Sequence, residues 1–486
     1  MPHPPLWLDA DSPALLAGLA RIREEFEVPG PHPPAVVQEA EEAARAVLRG
    51  LGAETGRDRI DARSLALVTI DPPGSRDLDQ ALHIEGRPRG WRVSYAIADV
   101  PAFVAPGGAV AAEVRERGLT FYLPDERAPL HPSPIGEDAG SLLPGQDRPA
   151  VLWTIDLDRD GVVQQTDLRR AVVRSRAQLT YEEVQADVDA GRADGTLAAL
   201  AEVGARRMRL EAARDGVSLD LPSQRVVRRA DGRFGLEHEA VVPAMGWNAQ
   251  ISLMTGMVAA EAMRSAGVGL LRTLPPPDDE VVRRVRRTAT GLGLDWPDGG
   301  SYQSLVRSLD GSDPDEAAVL MVAARGLRGA GYLALVPGQP APEDPDAVRH
   351  AAVAAPYAHV TAPLRRLCDR TAIEVCLALY GDRSVPDHTL AELPELPRLM
   401  AQARGREGSA GRAVVDLVEA LLLEGQVGEV VQATVVSSSP ERSAVVVGAL
   451  AVETTVEGVE LPLSEQVALR VAAVDVPARR VELVPA

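Results

Sequence analysis

At 486 residues the chain is long enough for about three domains of the usual ~150 residues. Hydrophobic residues make up 45% and charged residues 25%, a balance that excludes disordered and fibrous classes. The formal net charge is −19, and with no lysine all 51 basic residues are arginine, which argues against a protein that coats nucleic acid through a broadly basic surface.

In chain order, Met1-Pro2-His3-Pro4-Pro5 lacks the basic and apolar stretches of a signal peptide. Ser12-Pro13 then offers a cap followed by a first-turn proline. Leu15, Leu16, Leu19, Ile22 and Phe26 recur at helical spacing until the Pro-Gly-Pro-His-Pro-Pro run at 29–34. A second helix is predicted after Pro34, with Val36, Val37, Ala40, Ala44, Val47, Leu48 and Leu51 on one side and Gly52 past its end. The pair fits a helix-turn-helix or winged-helix unit, or equally a helical arm packed on a core. Residues 1–65 carry seven Arg against eleven acids, so they make a poor nucleic-acid reader by charge.

From Leu65 the pattern changes. Residues 65–70 read as a strand ending at Asp71. Residues 91–100 alternate, with Val93, Tyr95 and Ile97 on one face, and 151–157 and 162–173 read as strands. Helical patterns are predicted over 180–210, with Thr180 and Glu183 as a capping box, over 248–335 and over 363–380. Val-rich runs at 427–437, 443–452, 467–476 and 479–484 are separated by turn residues and suggest a small barrel such as an OB-fold. The expected class is α+β, divided at 1–65, 66–425 and 426–486. No run approaches the ~18 apolar residues of a membrane span. Cys368 and Cys376 form neither a disulfide framework nor a CxxC motif, which points to a reducing, cytoplasmic compartment.

The chemistry concentrates in residues 70–81. Asp71, Asp77 and Asp79 lie within nine residues, and Pro72-Pro73-Gly74 forbids a helix and demands a tight loop. Such a loop can fold back to cluster its carboxylates. Clustered carboxylates repel unless they are solvated or neutralised by a cation. Oxygen ligands of this kind suit Mg²⁺ or Mn²⁺ rather than zinc.

This segment resembles the active-site motif of the ribonuclease II / ribonuclease R (RNB) exoribonuclease family. The resemblance continues, in order, through Tyr95-Ala96-Ile97-Ala98-Asp99-Val100 and residues 117–125, which include Thr120-Phe121-Tyr122-Leu123-Pro124-Asp125. It extends through Ser141-Leu142-Leu143-Pro144-Gly145, residues 175–184 and His359-Val360-Thr361-Ala362-Pro363-Leu364-Arg365-Arg366. It implies an RNB catalytic core, a mixed sheet with surrounding helices, acting as a 3′-to-5′ exoribonuclease. Single-stranded RNA would be hydrolysed processively to nucleoside 5′-monophosphates by a two-metal mechanism. Asp71, Asp77, Asp79 and Gln80 are the implied metal ligands, with Asp77, Asp79 and Arg365 catalytic. Tyr122 is implied to stack on the terminal nucleotide, with a core tyrosine as the alternative reading. Arg366 is implied as a second substrate contact, or is an ordinary salt-bridge partner. His359 reads as a packed histidine.

The chain also departs from the family pattern. Gln80 stands where a fourth acid usually follows Asp79, which leaves room for a catalytically weakened RNA-binding or regulatory protein. Larger members of the family carry two N-terminal cold-shock-type barrels; in this sequence a short helical segment precedes the core, and the expectation is that the RNA-gathering clamp is absent or replaced. The C-terminal run, with four Arg, eight acids and no Phe, Tyr or Trp, lacks a base-stacking platform. Single-stranded RNA is the expected partner, with no membrane and a monomeric chain.

Three further patterns are weaker. Asp156–Gly161 matches the start of an EF-hand loop, but the strand-like flanks make it a hairpin turn. The Arg283, Arg284, Arg286 and Arg287 stripe reads as a solvated helix face, with a phosphate-contacting stripe as the alternative. Arg225, Arg228, Arg229 and Arg233 fall on an expected β-ribbon.

Overall fold

The computed structural model describes residues 7–9, 12–51, 59–193, 195–217, 224–228, 231–238, 242–297, 299–311, 313–340, 342–447, 452–463 and 465–486. Met1–Pro5, Gly52 and Arg229 therefore lie outside the described residues, as does the side chain of Arg225.

Helices α1 (Pro13–Glu25) and α2 (Pro34–Gly50) form as the caps and prolines predict. Ser12 accepts from the Leu15 N–H, and Leu15, Leu19 and Ile22 face inward. The α1 helix lies so close to a later helix that a Cβ on Gly18 would stand 2.5 Å from Leu417 Cδ2. The helical pair is thus packed on the body of the protein.

Strands β1 (Ile60–Asp61), β2 (Val68–Ile70), β3 (Gln80–Arg87) and β4 (Gly90–Ala98) follow. Next come helix α3 (Ala109–Arg117) and the short strands β5 (Phe121–Tyr122) and β6 (Arg127–Ala128). Long strands β7 (Asp147–Asp158) and β8 (Val163–Arg174) and the short β9 (Ala177–Leu179) complete a mixed sheet. Its order is β1-β8-β7-β4-β3-β2-β9. The β1–β8 and β2–β9 pairs are parallel, and the β8-β7-β4-β3 centre is antiparallel. Tyr95 and Trp153 pair across β4 and β7 and are wholly buried, because helices cover the sheet. The β7–β8 turn contains the EF-hand look-alike. Asp158 Oδ1 there accepts from the N–H groups of Asp160 and Val162, an Asx-type turn with no need of a cation.

Helices α4 (Tyr181–Asp189) and α5 (Gly195–Ala213) come next, and the Thr180–Glu183 capping box forms at α4. The ribbon β10 (Gln224–Arg228) and β11 (Phe234–His238) precedes α6 (Pro243–Ala266). The span 248–335 is not helical throughout. Strand β12 (Gly269–Thr273) pairs antiparallel with β13 (Gly331–Leu335), enclosing α7 (Asp279–Gly291), α8 (Tyr302–Ser308) and α9 (Pro314–Ala323). A five-residue apolar run such as Gly269–Thr273 cannot be told from buried helix by periodicity alone. The Arg stripe lies on α7, where Arg284 pairs with Glu280 one turn back.

Helix α10 (Leu367–Tyr380) starts later than the predicted 363, since residues 361–366 form a turn. After α11 (Asp387–Glu392), the 29-residue α12 (Leu396–Glu424), not recognised in the sequence, packs against α1, β13 and the last two strands of the chain. Those last strands belong to a five-stranded antiparallel sheet: β14 (Val430–Ser439), β15 (Arg442–Val447), β16 (Val452–Glu457), β17 (Gln466–Asp475) and β18 (Arg480–Pro485). Its order β16-β15-β14-β17-β18 brings the two edge strands near each other, as in a partly open OB-type barrel. Among the described residues no helix is long and apolar enough to cross a membrane.

Candidate active site

The acidic loop joins the ends of β2 and β3. Strand β2 delivers Asp71, whose N–H bonds the Leu179 carbonyl of β9. Pro72–Ser75 then makes a turn closed on the Pro72 carbonyl, with Gly74 at φ +79°, a conformation L side chains rarely adopt. Beyond the turn, Leu78 is wholly buried and clamped by Ser141. Its N–H donates to Ser141 Oγ, and Leu142 N–H donates to the Leu78 carbonyl. With Leu78 pinned inward, its neighbours Asp77 and Asp79 are fixed in place, and Ala98 N–H secures the Asp79 carbonyl.

A second loop, residues 361–366, arrives from far along the chain. Leu364 N–H donates to Asp79 Oδ1 at 2.7 Å across 285 positions of sequence. Arg365 Nε stands 3.2 Å from Asp79 Oδ2, an ion pair without the alignment of a hydrogen bond. Several contacts hold this loop. Ala362 N–H bonds Asp369 Oδ1, the Pro363 carbonyl accepts from His131 Nε2, and Thr120 N–H bonds the Arg365 carbonyl.

Asp79 is 2% exposed, and its Oδ2 and that of Asp71 are buried oxygens that accept no hydrogen bond. Burial pushes the Asp79 carboxyl up to about 8, against the pull of Arg365 and the Leu364 N–H. Burial lifts Asp71 to about 6, with Arg365 opposing and Asp77 adding. Asp71 and Asp79 are each desolvated and each keeps an orphaned oxygen, the kind of oxygen donor that a hard divalent cation takes.

Asp77 is placed differently. Its Oδ1 accepts from Arg127 Nη1 at 2.9 Å and its Oδ2 from Tyr122 Oη at 3.0 Å. Tyr122 and Arg127 are register partners on the β5–β6 hairpin, so one turn aims both at the same carboxylate. Arg127 also reaches Glu137 at 2.7 Å. Tyr122 is no core residue: it is 49% exposed, which leaves its ring available to a ligand.

The remaining expected site residues have other partners. Gln80 Nε2 donates to the Thr361 carbonyl, and Gln80 Oε1 accepts from Tyr95 Oη, which also bonds Ser252 Oγ. Its amide therefore ties β3 to the 361–366 loop. Arg366 makes a two-pronged ion pair with Asp369 at 2.8 and 2.7 Å. Of its two sequence readings, this geometry is the salt-bridge one. His359 Nδ1 lies 2.8 Å from Tyr332 Oη, and burial holds its imidazole well below the usual histidine range. His359, Cys368 and Asp369 lie close together, but both Asp369 oxygens already accept from Arg366, and Ala362 N–H adds a third bond. Sequence reasoning missed Arg127, Glu137, Asp369 and the Leu364 N–H. Only the register of the Pro124-Asp125-Glu126 turn, which sets Arg127 opposite Tyr122, was open to inference beforehand.

A sheet-end acid cluster met by an arginine-bearing loop and a tyrosine hairpin defines a class that the comparisons make concrete. The RNB domain family model matches residues 59–376, and the chain belongs to that family. Ribonuclease R from Aquifex aeolicus is 27% identical over 436 residues, covering 84% of this chain and 58% of the relative. A protein named inactive exonuclease DIS3L2 from Arabidopsis thaliana is 30% identical over 349 residues, covering 64% of this chain and 32% of the relative. Among solved structures, the apo form of Mycoplasma genitalium RNase R superposes with a TM-score of 0.85 at 17% identity, covering 98% of this chain and 78% of that one. The chain spans about half the length of the curated relatives it matches.

Proposed function

We propose that the chain is a divalent-cation-dependent exoribonuclease that hydrolyses single-stranded RNA processively from the 3′ end to nucleoside 5′-monophosphates. One observation carries this reading: two buried carboxylate oxygens without a hydrogen-bond donor, on Asp71 and Asp79, beside Arg365. Asp71 and Asp79 are the residues that would hold Mg²⁺ or Mn²⁺. When bound, such an ion favours hydroxide over water and offsets charge on the departing 3′ oxygen.

The chain's own groups do the positioning. The Leu364 N–H fixes the Asp79 carboxylate. The Arg365 guanidinium grips phosphate oxygens and offsets charge that develops there. The Tyr122 ring stacks on the terminal base without regard to its identity. Asp77 and Gln80, the remaining ligands named from sequence, are bonded to Tyr122, Arg127, Tyr95 and Thr361, so in this reading Asp71 and Asp79 are the first ligands of an ion. A second ion depends on the substrate phosphate. In this reading residues 1–65 brace the core, 66–425 carry the chemistry and 426–486 line the path of the RNA. The chain acts as a monomer in the reducing cytoplasm, in keeping with two buried free thiols at Cys368 and Cys376.

The test is a 5′-labelled oligoribonucleotide incubated with Mg²⁺, with Mn²⁺ and with EDTA. A ladder that shortens from the 3′ end and stops with the chelator is the expected result. Binding without shortening in either metal favours the non-enzymatic RNA-binding reading, for which the inactive relative is a precedent.

A further inference from the structure

The β5–β6 hairpin is too small to hold itself. It has two register pairs, Phe121 with Ala128 and Tyr122 with Arg127, and a two-stranded ribbon of that size is not stable alone in water. Yet it must hold the Tyr122 ring and the Arg127 guanidinium at fixed positions around Asp77. Its base is tied to the core through the Thr120 N–H, which bonds the Arg365 carbonyl. Its tip is tied to a different part of the chain. Arg23 Nη2 of α1 lies 2.5 Å from Asp125 Oδ2, within the four-residue turn, and 3.8 Å from Glu126. Both members of the Arg23–Asp125 pair are largely shielded from water, which strengthens the pair relative to an exposed one.

The α1 helix is a firm anchor for that purpose. It is pressed on α12 at Gly18, and Glu25 pairs with Arg479 of the terminal barrel through two bonds of 2.8 and 2.9 Å. The arginine that touches the hairpin tip is therefore fixed from the helix and barrel side, while Tyr122 and Arg127 of the hairpin bond Asp77 and Phe121 and Ala128 are buried in the core.

We propose that Arg23 is a positioning residue for the substrate-binding tyrosine: through Asp125 it braces the hairpin tip and so sets the Tyr122 ring where the RNA end arrives. The consequence for RNA rests on the function proposed above; the brace itself does not. In this arrangement the N-terminal helices act on the site mechanically rather than by contacting nucleic acid.

The experiment is a double-mutant cycle on full-length protein with Arg23→Asp, Asp125→Arg and the charge-swapped pair, plus Arg23→Lys as the conservative variant. Two readouts are taken: amide hydrogen exchange of a peptide covering residues 119–130, and KM and kcat on an oligoribonucleotide. Arg23→Asp is expected to speed exchange in that peptide by about 2–5-fold, as loss of a partly shielded ion pair implies. It should raise KM by a similar factor with kcat nearly unchanged. Arg23→Lys and the swapped pair should recover most of both effects, and peptides from the sheet should exchange as in the parent. Unchanged exchange at 119–130, or faster exchange that the swap fails to recover, overturns the brace. Exchange that follows the cycle in a protein that neither cleaves nor binds RNA upholds the brace and rejects the functional reading instead.

Discussion

The sheet-end site and the terminal barrel treat the same residue types in opposite ways. All eight acids of residues 426–486 are exposed, while Asp79 at the sheet end is buried and Asp71 partly so. In the barrel the buried residues are Val431, Val435, Val445, Leu469 and their like, and charge stays outside. At the sheet end two carboxyls lose water, gain no full set of donors and are driven upward in pKa. An acid in water is solvated and inert, whereas a buried acid with an orphaned oxygen requires a proton or a cation. The net charge of −19 is therefore uninformative about RNA until it is known which acids are buried.

The largest expected effect is at Asp79. Asp79→Asn should lower hydrolysis by on the order of 10³-fold while leaving oligonucleotide affinity within a few-fold, because it removes a ligand charge without removing the stacking ring or the phosphate-binding arginine. Near-full turnover in a single-turnover assay would show that burial at the sheet end has no chemical purpose.

Arg365→Ala should cost about 10²-fold in kcat. Arg366→Ala should act instead through stability, by leaving the buried Asp369 unpaired, at about 3 kcal/mol. Thermal melts beside kinetics separate the two; an Arg366→Ala protein that melts normally but has lost kcat would reverse these assignments.

A medium-sized effect concerns His131, another buried titratable group near the site. Burial, with Arg370 adding, pulls its pKa down to about 3. The unfolded chain takes up this proton near pH 6.5, the folded one only near 3, so stability falls as pH drops through that window. At pH 5 the loss from this group is about 2 kcal/mol. Urea unfolding at pH 7.5 and 5.0 should show it, and His131→Gln should flatten the slope.

The smallest effect belongs to the barrel. Arg442→Ala and Arg470→Ala should each change RNA affinity by less than about twofold, since isolated exposed charges without an aromatic platform bind weakly. A tenfold loss in a filter-binding titration would erase the contrast between the two regions.

Much of the fold was legible because the signals are local. Ser12-Pro13 and the Thr180–Glu183 pair start helices as read, and the Val-rich runs carry β14, β15, β17 and β18, although residues 448–451 of the run at 443–452 lie outside the described residues and β16 was not read. The errors lie where local pattern is ambiguous. The run at 269–273 is apolar enough for a buried helix but pairs with β13, because a strand partner was available 60 residues later. The helical pattern over 363–380 includes residues 363–366, yet Leu364 N–H bonds Asp79 and the Arg365 carbonyl accepts from Thr120. Tertiary partners override propensity in short segments.

The sequence alone determined the acidic loop. Three aspartates within nine residues, broken by Pro-Pro-Gly, read as a tight loop able to bring its carboxylates together, since backbone stereochemistry acts over that range. Which of the three became desolvated was decided by contacts from far along the chain. Leu364 and Arg365 close over Asp79 and compete only partly with its loss of water, whereas Arg127 and Tyr122 satisfy Asp77. Identical residues in one loop thus acquire different surroundings, because burial and hydrogen-bond partners exist only once the chain has folded.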